Sequence, residues 1–252
     1  MKKWFALGAF FLMSYLVFII ATLPLAFVIN SVKLPNHINV QGVSGTVWQG
    51  EIAQVVVNQN HIQKINTKLS FWSLFTLTPK VNIHFGNDIL PGPQGELTLA
   101  ISQSTLELSD VTLYVKANDI AQQLKLPLPV TAKGDAELQL SSITISLSTY
   151  ECQQAQGNVN WIRAGVIAMK QNIKLGQFAA DLSCEQGKLA ATVSPNNDLG
   201  LSFTALVSAQ RGKIAATGQG HLKPGAKFPE QLKSALPFLG RADAQGRYRL
   251  QF

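Results

Sequence analysis

Charge, histidine and cysteine are all scarce in this chain, and each scarcity removes a class of function. Only 14% of its 252 residues are Asp, Glu, Lys or Arg, against about 25% in an ordinary globular domain. The four histidines, His37, His61, His84 and His221, are scattered singly. Each reads as a half-exposed polar residue of a strand rather than as a catalyst. Two cysteines, Cys152 and Cys184, lie outside any C-x-x-C pattern and lack paired histidines nearby, so they cannot complete a tetrahedral metal site. No hydrolase elbow, P-loop, zinc signature or calcium loop occurs. Gly218-Gln-Gly220 stops short of a dinucleotide fingerprint and lies in an alternating strand rather than at a strand-to-helix turn. The carboxylates Glu96, Glu107, Asp110, Asp135 and Glu137 fall on the polar phase of strands, as edge and solubility charges rather than a general acid–base pair. The expectation is a protein without catalytic residues, cofactor or metal.

What the chain does have is one long apolar run. Residues 4–29 contain no charged side chain and follow directly on Met1-Lys2-Lys3. As one helix at about 1.5 Å per residue the run would reach roughly 39 Å, enough to cross a ~30 Å hydrocarbon core with some tilt. Lys2, Lys3 and the terminal amine gather positive charge on one side, while Lys33 alone lies close on the other. The positive-inside bias therefore leaves residues 1–3 as a cytoplasmic lead and sends residues 30–252 across the membrane. A cleaved signal peptide is the rival. Its apolar core normally runs ~7–15 residues, shorter than this one, and the small-residue site at Pro24-Leu25-Ala26 carries an unfavourable proline. Residues 4–29 thus read as a retained transmembrane signal-anchor.

The remaining residues, about 220, are rich in Val, Ile, Leu, Thr, Ser and Gln, and period-2 alternation dominates. In Gly95-Glu-Leu-Thr-Leu-Ala-Ile101 the set Leu97, Leu99, Ile101 faces one way and Glu96, Thr98, Ala100 the other. Leu106 and Leu108 follow, then Val111, Leu113 and Val115, each group separated by polar turn residues. These read as consecutive strands of an antiparallel meander. Residues 95–110 and 134–149 align without a gap, Gly187-Lys-Leu-Ala-Ala-Thr192 echoes Gly212-Lys-Ile-Ala-Ala-Thr217, and Gly157-Asn-Val-Asn-Trp161 resembles Gly246-Arg-Tyr-Arg-Leu250. The recurrence predicts a repeated hairpin module and permits two sub-repeats, about 30–130 and 131–252. Helical signals are few. Asn118-Asp119 caps a two-turn helix through Ile120, Ala121 and Leu124 that Pro127 and Pro129 stop, and Pro229-Glu230 opens another through Leu232, Ala235 and Leu236. Neither covers a dozen strands. The fold class is mainly β: an elongated, twisted antiparallel sheet whose apolar faces either pack on each other as a sandwich or curl into a groove.

On the translocated side an isolated cysteine pair reads as one structural disulfide, Cys152–Cys184. Basic residues gather late: residues 211–252 hold Arg211, Lys213, Lys223, Lys227, Lys233, Arg241, Arg247 and Arg249 against Glu230 and Asp243. Topology makes nucleic acid a poor partner for this segment; acidic protein surfaces or anionic lipid headgroups fit better, and Arg241, Arg247 and Arg249 are contact candidates. Trp4 begins the anchor where an interfacial aromatic belongs. Trp48, in Gly42-Val-Ser-Gly45-Thr-Val-Trp-Gln-Gly50, lies among glycines that permit a sharply twisted or bulged strand beside a large ring. Trp72 lies in the aromatic run Phe71-Trp-Ser-Leu-Phe75. Both read either as a core plug at the membrane-near end of the sheet or as a contact for a partner or lipid.

With the short lead, the anchor, the 42–50 stretch, Phe71-Trp72 closing at His84-Phe85-Gly86, the cysteine pair and Leu236-Pro-Phe-Leu-Gly240 ahead of Gly246-Arg-Tyr248, the whole chain resembles protein N of the bacterial type II secretion system. The Gly-x-Trp-x-Gly phase also resembles the AsmA-like family of inner-membrane-anchored, groove-forming β proteins. The first resemblance implies a non-enzymatic, single-pass component of the bacterial inner membrane, with its C-terminal part in the periplasm. Its partners would be other type II secretion components of the inner membrane and periplasm. The second implies a lipid-handling protein whose apolar strand faces line a groove for acyl chains.

Overall fold

The computed structural model describes residues 2–32, 34–35, 38–57, 60–87, 92–122, 131–168, 171–210 and 213–251. Expectations resting on His37, Leu124, Pro127, Pro129, Arg211 or Gly212 lie outside the described residues. Thirteen strands form one antiparallel sheet whose order follows the chain. The meander read from period-2 alternation is therefore present, and no second sheet occurs among the described residues. The chain divides into two compact units, Met1–Gln94 and Gly95–Phe252.

In the first unit, α1 (Lys2–Ala21) is followed by a break and then α2 (Leu25–Ser31). The expected continuous helix over 4–29 is thus two helices. Pro24 is the reason: it has no N–H to donate, its φ of −68° and ψ of 135° are extended, and it stands as the N-cap of α2. No helix among the described residues is long and apolar enough to cross a membrane. Four strands come next: β1 (Ile38–Gly45), β2 (Gln49–Val57), β3 (Asn60–Leu69) and β4 (Lys80–Phe85). The 42–50 stretch, whose glycines were expected to permit a sharply twisted or bulged strand, holds the turn of the hairpin between β1 and β2. Gly45 pairs with Gly50 and the Thr46 N–H donates to the Gln49 carbonyl at 3.0 Å. Gly45 has φ +79°, and a Cβ there would stand 2.5 Å from the Gln49 carbonyl oxygen, so only glycine closes this turn. Trp48 is thereby presented at the hairpin tip.

The second unit takes all but the first residue of β5 (Gln94–Ile101), then β6 (Thr105–Lys116), α3 (Ala117–Ala121), β7 (Thr131–Ser146), β8 (Cys152–Ala168), β9 (Gln171–Glu185), β10 (Lys188–Val193), β11 (Leu201–Gln210), β12 (Lys213–Leu222), α4 (Glu230–Lys233) and β13 (Tyr248–Gln251). Lys116, not Asn118, is the N-cap of α3, without a side-chain capping bond. Val111, Leu140, Ile143, Cys152 and Leu182 are buried together, and Leu97, Leu108, Leu138, Ile145 and Val159 pack against them. This cluster takes its members from β5 to β10. A second, smaller one joins Ala164, Ile173 and Leu175 to Trp161, Phe178 and Leu232 of α4.

Three details of the sequence reading change here. Leu106–Leu108 and Val111–Val115 are not separate strands: β6 runs through both. Asp110 has φ +52°, which lets Leu108 and Val111 face the same cluster although three residues apart. Opposite it, β7 makes the matching step, with Ile143 and Leu140 as partners of Leu108 and Val111. At the end of β5, Ala100 is buried and Ile101 is 42% exposed, because Ile101 borders the turn closed by Ser102 N–H to the Thr105 carbonyl. Finally, residues 95–110 are β5, a turn and the start of β6, whereas 134–149 lie mostly within β7. Their alignment is an echo of composition, not of structure.

Candidate functional site

The first unit holds a continuous apolar surface built from α1, the β1–β2 hairpin and the β3–β4 connection. Along α1, side chains are exposed on all sides, from Trp4 at 80% through Phe11 at 76% to Ile20 at 53%. A helix apolar all round normally lies inside something, and no described part of this unit encloses it. Its C-terminal end is fastened to the sheet. Trp48 Nε1 donates to the Ile20 carbonyl at 2.8 Å, the Val47 N–H donates to the Leu23 carbonyl at 3.0 Å, and Pro24 bridges to Thr46. Leu25 of α2 lies over Gly50, where a Cβ would come within 2.3 Å of Leu25 Cδ2.

Beside this joint, the connection between β3 and β4 carries an aromatic group. Phe71–Leu74 is a 3-10 turn. The Trp48 and Phe71 ring centroids are 5.5 Å apart, Phe71 and Phe75 5.4 Å, and Trp72 and Phe75 5.9 Å. Trp48 is half-buried. Trp72 is 77% exposed, Phe75 70% and Leu77 75%, so Trp72 is no core plug. A cleft of about 890 Å³ lies between this group and the last turn of α1, lined by Val17, Ile20, Trp48, Lys68, Phe71 and Trp72 among others. Phe75 ends the aromatic run and Leu77 opens the turn after it, but neither is singled out by the sequence as a contact candidate. The signal was present, as five large apolar residues within residues 71–77, but an aromatic run reads equally as core.

The arginine candidates belong to the second unit and are not equivalent. Arg247 Nε is 2.8 Å from Asp243 Oδ2, and Asp243 Oδ1 also accepts the N–H groups of Gln245 and Arg247. These bonds, the Arg247 backbone N–H foremost, hold the Asp243 carboxyl down to about 2. Arg247 thus fixes the turn before β13. Arg249 is exposed on β13, and Arg241 is exposed ahead of it.

Two further features organise the second unit. Cys152 and Cys184 are disulfide-bonded across a sequence separation of 32 residues, at the end of the β8–β9 pair. The Cys152 N–H donates to the Gly187 carbonyl at 2.9 Å, and both cysteines belong to the larger apolar cluster. On the polar side, Asp135 takes Lys116 Nζ at 2.9 Å and also the Arg163 guanidinium. Positive φ at Gly134 and Arg163, where the β7–β8 register shifts, lets the three meet. The hydrogen bond from Lys116, then that from Arg163, lowers the Asp135 carboxyl from its ordinary value. Glu137 accepts from the Tyr114 hydroxyl at 3.0 Å, which raises the phenol's pKa. These carboxylates have structural partners the sequence did not disclose. Among the described residues no group of three or more His, Cys, Asp or Glu is placed to hold a metal ion.

Fold and site together define a class: a meandering antiparallel β protein led by an exposed apolar helix. Within that class the chain belongs to the type II secretion system protein N family, whose description matches residues 36–251. The chain is 30% identical over 255 residues to the type II secretion system protein N of Aeromonas hydrophila, covering 100% of this chain and 98% of the relative. It is 28% identical to the protein of that name from Vibrio cholerae, covering 98% and 97%. Against the Pectobacterium carotovorum protein the identity is 26%, covering 100% and 97%. No solved structure matches the chain.

Proposed function

We propose that this protein is a non-enzymatic, single-pass inner-membrane component of a type II secretion apparatus. It assists assembly or operation of the machine that exports folded proteins from the periplasm. Lys2 and Lys3 lie in the cytoplasm, α1 enters the membrane, and both β-rich units face the periplasm, where the Cys152–Cys184 disulfide forms and persists. Partners are other components of the apparatus, met through strand edges and the exposed Arg241 and Arg249.

The observation that carries the reading is α1, apolar on every side and uncovered, in a chain of this family. α1 has 20 residues, roughly 30 Å at about 1.5 Å per residue, but its first two are lysines. Its apolar length falls a few Å short of a ~30 Å core, which a bilayer meets by local thinning or by burying flanking aromatics. The test has two arms. Alkaline phosphatase joined after the β1–β2 hairpin should be active, and joined at the N-terminus inactive; the reverse pattern refutes the topology. In a strain lacking the protein, export of secreted proteins should return with the full chain. It should not return with a chain whose residues 1–29 are replaced by a cleavable signal peptide.

A second reading, lipid handling by an apolar groove, draws on there being no second sheet among the described residues to cover the apolar face of β5–β10. No large side chain among the described residues is completely buried. Photo-crosslinking from Leu99, Leu138 and Ile145 separates the two: lipid adducts there favour the groove, whereas adducts to secretion components at the exposed Arg241 and Arg249, with only self-crosslinks inside, favour assembly.

A further inference from the structure

We propose that loop 71–77 is a membrane foot. It seats its rings at the boundary between headgroups and acyl chains, in the periplasmic leaflet of the bilayer that α1 enters, and lipid fills the cleft between loop and helix. The proposal rests on reading α1 as the anchor.

Four observations converge. First, the loop is apolar where loops are ordinarily polar. Phe71, Trp72, Phe75 and Leu77 are 51%, 77%, 70% and 75% exposed, and their rings touch one another instead of entering a core. Such a contiguous patch marks an interaction surface.

Second, the loop is folded for an apolar solvent. Polar groups of the loop and its flanks are bonded to one another: the Ser70 N–H donates to the Lys80 carbonyl at 2.9 Å. Buried Ser73 donates from Oγ to the Ser70 carbonyl at 2.6 Å and accepts the Lys80 N–H at 2.9 Å. Thr76 Oγ1 donates to the Ser73 carbonyl at 2.9 Å, and the Phe75 and Leu77 N–H groups bond within the loop. A backbone entering lipid needs its hydrogen bonds satisfied internally, and a preformed loop loses little entropy on insertion.

Third, the depth is right. Trp48 hydrogen-bonds to Ile20 at the last turn of α1 and packs in a tilted contact against Phe71, while Trp4 lies in the first turn of α1 at its other end. Trp4 and Ile20 are about 24 Å apart along a helix. Aromatic side chains therefore mark both ends of the apolar span, as at the two faces of a bilayer.

Fourth, the cleft beside α1 has the polarity of a phospholipid: Val17, Ile20, Phe71 and Trp72 offer an apolar wall and Lys68 a cation. The patch continues directly from the helix, which favours lipid over a protein partner as its occupant.

The test uses the full chain in nanodiscs of phosphatidylethanolamine and phosphatidylglycerol, with acyl chains brominated near the headgroup or near the chain end. Trp72 is the probe, read as the difference between a variant carrying Trp4→Phe and Trp161→Phe and the same variant with Trp72→Phe added, so that Trp48 and its bond to Ile20 are kept. A parallel variant adds Trp72→Phe and places a probe in the helix with Phe11→Trp. The expected result is a blue shift of Trp72 emission and stronger quenching by bromines near the headgroup than near the chain end. Phe11→Trp should be quenched more by deep bromines. If Phe11→Trp is quenched and Trp72 is not, the foot is overturned while the anchor stands. If neither is quenched, the anchor falls and the foot with it. Circular dichroism checks that each variant folds. A Phe75→Asp variant, altered only at an exposed site, should keep the fold and lose the Trp72 quenching; unchanged quenching would overturn the proposal.

Discussion

The two units of this chain treat similar apolar material in opposite ways. In the second, leucines, isoleucines and valines from six successive strands cover one another and a disulfide lies among them. In the first, the largest apolar side chains stand outward on α1 and on loop 71–77. Burial within the chain makes the second unit self-sufficient. The first unit exposes what water disfavours, at roughly 25 cal/mol for each Å² of apolar surface, and so its stability depends on what surrounds it.

Breaking the self-sufficient unit should have the largest effect. Leu140→Asp puts an unpaired charge among Val111, Ile143 and Leu182 and should cost about 4 kcal/mol or more. Loss of the near-ultraviolet circular dichroism of the second unit would check this, and Phe75→Asp in the first should leave that signal intact. Next comes the disulfide. Cys152→Ser with Cys184→Ser should lower stability by about 2–4 kcal/mol, read as a lower urea midpoint of the Trp161 transition under oxidising conditions. A smaller effect belongs to the joint of the first unit. Trp48→Phe removes the bond to the Ile20 carbonyl and should cost about 1 kcal/mol, seen as faster amide exchange in 45–50 without change in the Trp161 transition. The smallest concerns pH. The Asp243 carboxyl sits at about 2 when folded, below its ordinary 3.8, so its contribution is fully present above pH ~4. It fades as pH falls toward 2. The protection factor of the Arg247 amide, taken against its intrinsic exchange rate at each pH, should then fall, and Asp243→Asn should remove that pH dependence.

The meander was legible because strands with one wet face write period 2 into the sequence. The disulfide was legible from two isolated cysteines outside any metal-binding pattern, once residues 30–252 were read as translocated. The phase change at Asp110 was not, since a polar residue at positive φ inside a strand and a polar residue in a turn look alike until the partner strand is known. The echo between 95–110 and 134–149 misled for the same reason: alternation recurs in every strand, so similar strings need not be equivalent elements. Trp72 shows the limit for the site. Its neighbours in sequence announce an apolar cluster, but whether a cluster faces inward is a property of the backbone, here of the Ser73 and Lys80 bonds that turn the loop.

Because sheet order follows chain order, each strand can pair with the one made before it, and none waits for a distant segment. A chain is made from its N-terminus onward. This fold can therefore grow strand by strand as it is made, and the disulfide bond closes once β9 has followed β8.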